Sequence, residues 1–247
     1  MCIPCEAAQT STATASDANA TTGFPQITST SAIIMDAQSG QIIYEKNSHT
    51  RQYPASITKI MTTLIALENS DLNDIVTFSD AAIDNTEGSG IARDYGEQMT
   101  MEQCLYAVML ASANECAYAV AEHVGGTIEN FVAMMNEKAK ELGCQNTHFA
   151  NPHGLHDENH YTTAHDMALI GSAVYQFDKF REVTQTLNYT IPPTNLVNES
   201  RTFQQNHKML WVGAHYSYDY CTGGKTGYTD QAKTTLVTMA DNADMQL

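Results

Sequence analysis

The sequence is poor in basic residues and lacks long apolar runs. Only 12 of its 247 residues are Lys or Arg, against 28 Asp or Glu, so the formal charge at pH 7 is −16. Because nucleic-acid binding requires clustered Lys and Arg, we expect no nucleic-acid partner. No apolar run approaches the roughly 20 residues that cross a bilayer, so we expect no transmembrane segment. The apolar content of 43% indicates a packed core.

Paired cysteine motifs and an intact signal peptide are also missing. The six cysteines do not form the paired C-x-x-C motifs that bind structural zinc. Cys104 and Cys116 lie in strongly apolar sequence, where we expect buried free thiols. Residues 7–22 are almost entirely Ala, Ser and Thr, and we interpret residues 1–27 as a flexible lead-in without the features of a signal peptide.

Strand signals lie at both ends of the remaining chain and helix signals lie between them. Residues 31–37 and 41–44 are apolar on either side of a turn, which predicts a β-hairpin. A helix is predicted from about residue 56, and residues 84–96 are loop-like. A capping box over residues 100–103 opens a helical block, with helices predicted over residues 105–111, 116–124, 127–142 and 163–175. Further β-like segments are residues 187–191, 219–227 and 234–239. This order predicts an α+β fold in which the terminal strands share one antiparallel sheet around a central helical region.

A serine and a lysine lie three residues apart at the start of the first predicted helix. Ser56 and Lys59 therefore share one helix face, as a nucleophile and its base would. Lysine can remove a proton only when neutral, which requires burial or a neighbouring cation. An isolated S-x-x-K is weak evidence, because a capping serine followed by a solvated lysine gives the same pattern.

Two further motifs follow in order along the chain. Ser112 and Asn114 lie at a turn between two apolar helices, and Lys225, Thr226 and Gly227 lie on a late strand. Penicillin-interacting enzymes combine S-x-x-K with motifs of these two kinds. The ordered set is much more specific than any one of its members.

The chain resembles the low-molecular-mass penicillin-binding proteins that act as serine-type D-alanyl-D-alanine carboxypeptidases, from about residue 31 to residue 239. The resemblance implies a β-lactamase/transpeptidase-like fold, with residues 28–247 as the catalytic domain. Besides the three motifs, the matching blocks cover residues 34–40, 54–59, 135–139, 151–155 and 224–229.

The resemblance implies the catalytic roles. Ser56 would be the acylated nucleophile, Lys59 its proton acceptor and Ser112 a proton relay. The backbone N–H groups of Ser56 and Tyr228 would form the oxyanion hole.

The resemblance also implies the substrate-binding residues. Asn114 would bind the substrate peptide, and Lys225 and Thr226 would bind its carboxylate. Gly227 would let the substrate backbone approach the strand that also carries Tyr228.

The implied activity removes the terminal D-alanine from peptidoglycan stem pentapeptides, in the extracytoplasmic bacterial cell envelope. β-Lactams would acylate the same serine, and the resemblance implies no metal and no cofactor. Two alternatives stay open: a penicillin- or peptidoglycan-binding protein without turnover, and a β-lactamase. The second is disfavoured because the E-x-x-x-N pattern of class A enzymes is missing between Asn114 and Lys225.

Three departures from the family pattern stand out. Glu115 replaces the usual Asp, and Lys233 stands where Gly usually follows Ala232. The chain also ends where the family enters a further strand between the hairpin and residues 234–239. We therefore expect a catalytic domain truncated at its C-terminus, with an open gap in its sheet.

A histidine-rich stretch offers a competing site. Imidazole and carboxylate groups are zinc ligands, but their spacing here matches no H-E-x-x-H motif and the family block explains much of the segment. We therefore do not predict a metal site. The residues concerned are His148, His153, His156, His160, His165, Asp157, Glu158 and Asp166.

Overall fold

The computed structural model of the chain describes residues 26–242 and 245–247. The predicted lead-in therefore lies almost wholly outside the described residues, as do Cys2 and Cys5. The α-helices are α1 (Lys59–Asn69), α2 (Asp80–Asp84), α3 (Met101–Tyr106), α4 (Asn114–Gly125), α5 (Ile128–Glu141), α6 (Ala164–Tyr175) and α7 (Asp178–Gln185).

The strands form antiparallel pairs. These pairs are β1 (Ala32–Met35) with β2 (Ile42–Lys46), β3 (Ile75–Thr77) with β4 (Gln98–Thr100), β5 (Asn188–Ile191) with β6 (Arg201–Gln204), and β7 (Cys221–Thr229) with β8 (Lys233–Ala240). The predicted hairpin at the start of the chain and the late strands are confirmed, as are the capping box before α3 and the end of α4 at a glycine pair.

The α+β arrangement of terminal strands around central helices is confirmed, but the terminal strands do not form the single sheet that was predicted. Among the described residues, β1–β2 and β7–β8 are separate two-stranded sheets. Residues 245–247 lie between them. The Ala37 N–H donates to the Gln246 carbonyl (2.7 Å), and Leu247 exchanges backbone hydrogen bonds of 2.8 and 2.9 Å with Ala240. Each hairpin thus bonds to this segment instead of directly to the other hairpin.

Most of helix α1 is enclosed in the core. Residues 59–66 are all buried, because apolar side chains at 60, 61, 64 and 65 face the core. Even Thr62 is fully buried, and its hydroxyl donates to the Pro152 carbonyl (2.5 Å). The first turn of α1 is therefore held firmly, and it carries Lys59 into the core.

The described residues also include two of the predicted free thiols and one of the departures from the family pattern. Cys104 and Cys116 are buried free thiols, as predicted, and burial raises the pKa of both. Lys233 has φ +59° at the turn between β7 and β8, a left-handed conformation that glycine adopts at lower cost. Across residues 26–242 and 245–247, no helix is long and apolar enough to cross a membrane.

Candidate active site

Ser56 lies in a tight turn between the last residues of an extended segment and α1. A single 3₁₀ turn covers Ala55–Thr58, and Ala55 has φ +52°. A non-glycine residue in this region costs on the order of 1–3 kcal/mol, and such strain concentrates at functional sites. The Thr58 hydroxyl donates to the Ala55 carbonyl (2.8 Å), and the Thr235 hydroxyl of β8 donates to the Pro54 carbonyl (2.8 Å). These contacts fix the turn against β8.

The Lys59 amine lies beside the Ser56 hydroxyl, as the motif predicted. Lys59 is fully buried, and its Nζ is 3.1 Å from Ser56 Oγ. The same nitrogen donates to Asn114 Oδ1 and to the His153 carbonyl, both at 2.6 Å. The three predicted residues and one unpredicted carbonyl thus meet at one amine.

The surroundings of the Lys59 amine favour its neutral form. Burial lowers its pKa well below the ordinary value, the Lys225 charge lowers it further, and the Glu115 charge opposes the shift. A neutral amine has two N–H donors and one lone pair. The amide oxygen of Asn114 and the His153 carbonyl can only accept, so they take both N–H groups. The lone pair then faces the Ser56 hydroxyl, which is the arrangement that a general base requires.

Asn114 at the start of α4 contacts the same amine, and Ser112 precedes it by two residues. A π-helical turn over Ala107–Ala111 ends at Ser112, which has φ +62°. The Ser112 hydroxyl is buried and has no hydrogen-bond partner among residues 26–242 and 245–247. A buried hydroxyl without a partner costs free energy unless a bound group satisfies it. It therefore favours a ligand at this position.

The strand β7 forms the other wall of the site. Lys225 is buried, its ammonium donates to the Thr226 carbonyl (2.8 Å), and burial lowers its pKa to about 7. A Cβ at Gly227 would lie 2.8 Å from the Ser56 nitrogen and 2.4 Å from the Thr235 hydroxyl. Because Gly227 has no side chain, the turn that carries Ser56 can pack against β7. The sequence analysis did not predict this contact.

A cavity of about 930 Å³ opens over these groups. It is lined on one side by the motif residues and on the other by a polar and aromatic segment that follows β6. Its lining includes Ser56, Ser89, Ser112, His207, Met209, Tyr216, Tyr218, Thr226, Gly227, Tyr228 and Leu236. The three sequence motifs therefore face one cavity large enough for a peptide.

Residues 151–155 pack against the turn that carries Ser56, a contact that the sequence analysis did not predict. A Cβ at Gly154, where φ is +90°, would lie 2.0 Å from the Ala55 carbonyl oxygen. The Asn151 side chain accepts from the Gly154 N–H (2.7 Å) and donates to the Leu155 carbonyl (2.9 Å). This closed loop presents the His153 carbonyl to Lys59. In the sequence, the Asn-Pro-x-Gly pattern of residues 151–154 indicates a turn at this position.

His153 and His160, two members of the histidine-rich stretch, are buried near the turn that carries Ser56. Burial lowers the pKa of His153 and of His160 to about 3. His160 Nδ1 accepts from the Ala150 N–H (2.9 Å), so its Nε2 carries the proton and donates to the Thr58 hydroxyl (2.7 Å). Within residues 26–242 and 245–247, no three His, Cys, Asp or Glu side chains are grouped to hold a metal ion.

A buried lysine facing a serine, a second serine and a Lys-Thr-Gly strand in an α+β frame define a serine enzyme of the penicillin-recognising class. The chain belongs to the family of D-alanyl-D-alanine carboxypeptidases, whose sequence profile matches residues 16–247.

Curated relatives and solved structures agree with this family. The chain is 37% identical over 226 residues to D-alanyl-D-alanine carboxypeptidase DacF of Bacillus subtilis, covering 87% of the chain and 55% of the relative. It is 31% identical over 221 residues to DacB2 of Mycobacterium tuberculosis, covering 87% and 71%. The crystal structure of the Streptomyces K15 DD-transpeptidase superimposes with a TM-score of 0.83 at 30% identity, covering 90% of this chain and 88% of that one.

These comparisons confirm the transpeptidase-like fold predicted from the motifs. The chain spans about half the length of several of the curated relatives that it matches, including those of Bacillus subtilis and Escherichia coli.

Proposed function

We propose that the chain is the catalytic part of a serine-type D-Ala-D-Ala carboxypeptidase that removes the terminal D-alanine from peptidoglycan stem pentapeptides. The observation that supports this most directly is the Lys59 amine, which is buried, has both N–H groups engaged and lies 3.1 Å from Ser56 Oγ. Membership of the carboxypeptidase family supports the substrate class.

Acylation begins when Ser56 Oγ attacks the carbonyl carbon of the peptide bond between the two terminal D-alanines. The hydroxyl proton passes to the Lys59 lone pair as the bond forms. The backbone N–H groups of Ser56 and Tyr228 stabilise the resulting oxyanion, each such donor being worth roughly 2.7–4 kcal/mol. The C–N bond then breaks, and the proton on Lys59 reaches the leaving D-alanine nitrogen through the Ser112 hydroxyl. This step uses the Ser112 hydroxyl, which is buried without a partner among the described residues.

Water completes the cycle by attacking the acyl ester on Ser56. Lys59 accepts a proton from the water and returns it to Ser56 Oγ as the shortened peptide leaves. A β-lactam carries the same carbonyl and carboxylate groups and acylates the same serine.

Lys225 and Thr226 bind the terminal carboxylate of the substrate. The pKa of Lys225 is lowered to about 7 by burial, and an approaching carboxylate favours its protonated form. Protonated Lys225 in turn keeps Lys59 neutral, since the two like charges repel. Substrate binding thus maintains the base in its reactive form. Asn114 hydrogen-bonds the substrate peptide, and Gly227 keeps β7 accessible to its backbone.

We place this activity in the extracytoplasmic cell envelope, where peptidoglycan is assembled and where trimming of stem peptides affects the cell wall and cell shape. The substrate class supports this location, because cross-linkable stem peptides occur there.

The test is release of D-alanine from a peptide that ends in D-Ala-D-Ala. We expect release by the unmodified protein, none from the same peptide ending in D-Ala-L-Ala, and none by the Ser56→Ala variant. Ser172→Ala is a matched control, because its hydroxyl only donates to the Ala168 carbonyl within α6 (2.9 Å). Failure to release D-alanine, or equal release by Ser56→Ala, contradicts the proposal.

A further inference from the structure

The loop before α3 and the first turn of α4 fit each other at Gly90 and Glu115. The Glu115 side chain is buried, and one carboxylate oxygen accepts from the Ile91 N–H (2.6 Å). A Cβ at Gly90 would lie 2.8 and 3.0 Å from the two carboxylate oxygens. Gly90 does not have a positive φ, so its backbone would accept alanine. The Glu115 carboxylate is what requires a glycine there.

This contact matters because the same loop holds Asn114. The Asn114 N–H donates to the Ser89 carbonyl (2.8 Å), and its Nδ2 donates to the Glu87 carbonyl (2.5 Å). The other end of that amide accepts from the Lys59 amine (2.6 Å). Residues 87–91 are therefore connected to the Lys59 amine through the Asn114 side chain.

Buried ion pairs anchor the far side of the loop. Arg93 donates to the Ile91 carbonyl (2.7 Å) and to the Glu97 carboxylate (2.8 Å). Glu97 also pairs with Arg201 at the start of β6. Because the loop is held from this side, displacement of the Glu115 carboxylate either breaks its hydrogen bond with the Ile91 N–H or moves the loop or the start of α4.

We propose that Glu115 is a positioning residue whose length is matched to Gly90, and that this match sets the place of the Lys59 amine through Asn114. The inference rests on the proposed serine acylation, since the amine has its effect there. Neither Glu115 nor Gly90 contacts the substrate in this proposal.

A double-mutant cycle on acylation by benzylpenicillin tests the match. Gly90→Ala should slow acylation about tenfold, because its methyl group displaces the carboxylate and a shift of about 1 Å can cost a hundredfold. Glu115→Asp should also slow it about tenfold, because the shorter side chain does not reach the Ile91 N–H. The double variant should be no slower than Glu115→Asp alone, because aspartate leaves room for the methyl group.

Two further variants separate positioning from general damage to the helix. Glu115→Gln keeps a full-length acceptor for the Ile91 N–H and should stay within about twofold of the unmodified protein. Glu122→Asp is the matched control on α4, since its carboxylate accepts from the Ser79 hydroxyl (2.6 Å) away from the site, and its rate should not change. The loss in the Gly90 and Glu115 variants should fall on the limiting acylation rate and not on the half-saturating penicillin concentration.

Additive slowing in the double variant, or unchanged rates in both single variants, would overturn the proposal. If the unmodified protein is not acylated at all, the proposed function fails first. The thermal midpoints of the same four proteins then still test the match: non-additive midpoints support it and additive midpoints refute it.

Discussion

Replacing Gly154 by alanine tests how closely the supporting loop is fitted to the nucleophile. A Cβ there would lie 2.0 Å from the Ala55 carbonyl oxygen and 3.0 Å from the Ser56 nitrogen, whereas ordinary contacts begin near 3.4 Å. The turn and the loop must therefore separate by roughly 1.4 Å. Displacement of a catalytic group by about 1 Å costs on the order of a hundredfold in rate, so we expect acylation by benzylpenicillin to slow at least that much.

The assay is the time course of the penicillin adduct by intact-protein mass, with the thermal midpoint measured in parallel. Gly143→Ala is the matched control, because Gly143 has φ +84° but no atom within 4 Å of its added Cβ. Both variants carry a left-handed alanine, which costs about 1–2 kcal/mol. Only Gly154→Ala should lose acylation. If it reacts within about threefold of the unmodified rate, the loop does not position the nucleophile and the reasoning is wrong.

Three further predictions follow from the same geometry. Lys59→Arg should abolish acylation although the charge is retained, because arginine cannot deprotonate; an undiminished rate would leave Lys59 without a role as base. Lys225→Met should slow acylation yet raise the free energy of unfolding at pH 7 by a few kcal/mol, because burial lowers the pKa of Lys225 to about 7. The unfolded chain binds more protons between that value and the ordinary lysine pKa, so stability of the unmodified protein should rise with pH across this window. Urea titrations should show a smaller rise in Lys225→Met, in which Lys59, whose pKa is also lowered by burial, still contributes. Lys233→Gly should raise stability by about 1 kcal/mol by relieving the φ of +59° at the β7–β8 turn, and an unchanged or lower thermal midpoint would contradict this.

Local sequence signals were sufficient for most of the elements and for the motif residues. The Thr100 capping box and the glycine pair that ends α4 each depend on only a few neighbouring residues. The pairing of Ser56 with Lys59 needs only one helical turn, so its geometry was predictable before any tertiary contact was known. The left-handed Lys233 likewise agrees with the glycine that the family places there.

The contacts that complete the site could not be predicted, because they join distant residues through backbone atoms. The His153 carbonyl that accepts from Lys59 lies 94 residues away in the sequence. Every residue has a backbone carbonyl, so the residue type gives no sign of this contact. The contact between Gly90 and the Glu115 carboxylate could not be predicted either, because only the folded structure brings the two positions together. The short α7 and β6 were not predicted, although α7 is amphipathic and buries Phe180, Val183 and Thr184 on one face. The terminal strands form two separate hairpins and not one sheet, but residues 245–247 bond to both hairpins, where the sequence analysis expected a further strand.

The central claim is that Ser56 is the nucleophile that Lys59 activates. The most direct measurement is peptide mapping of the protein after incubation with benzylpenicillin. We expect one covalent adduct, located on Ser56 and missing from the Ser56→Ala variant. An adduct on another residue, or labelling that persists in Ser56→Ala, would contradict it.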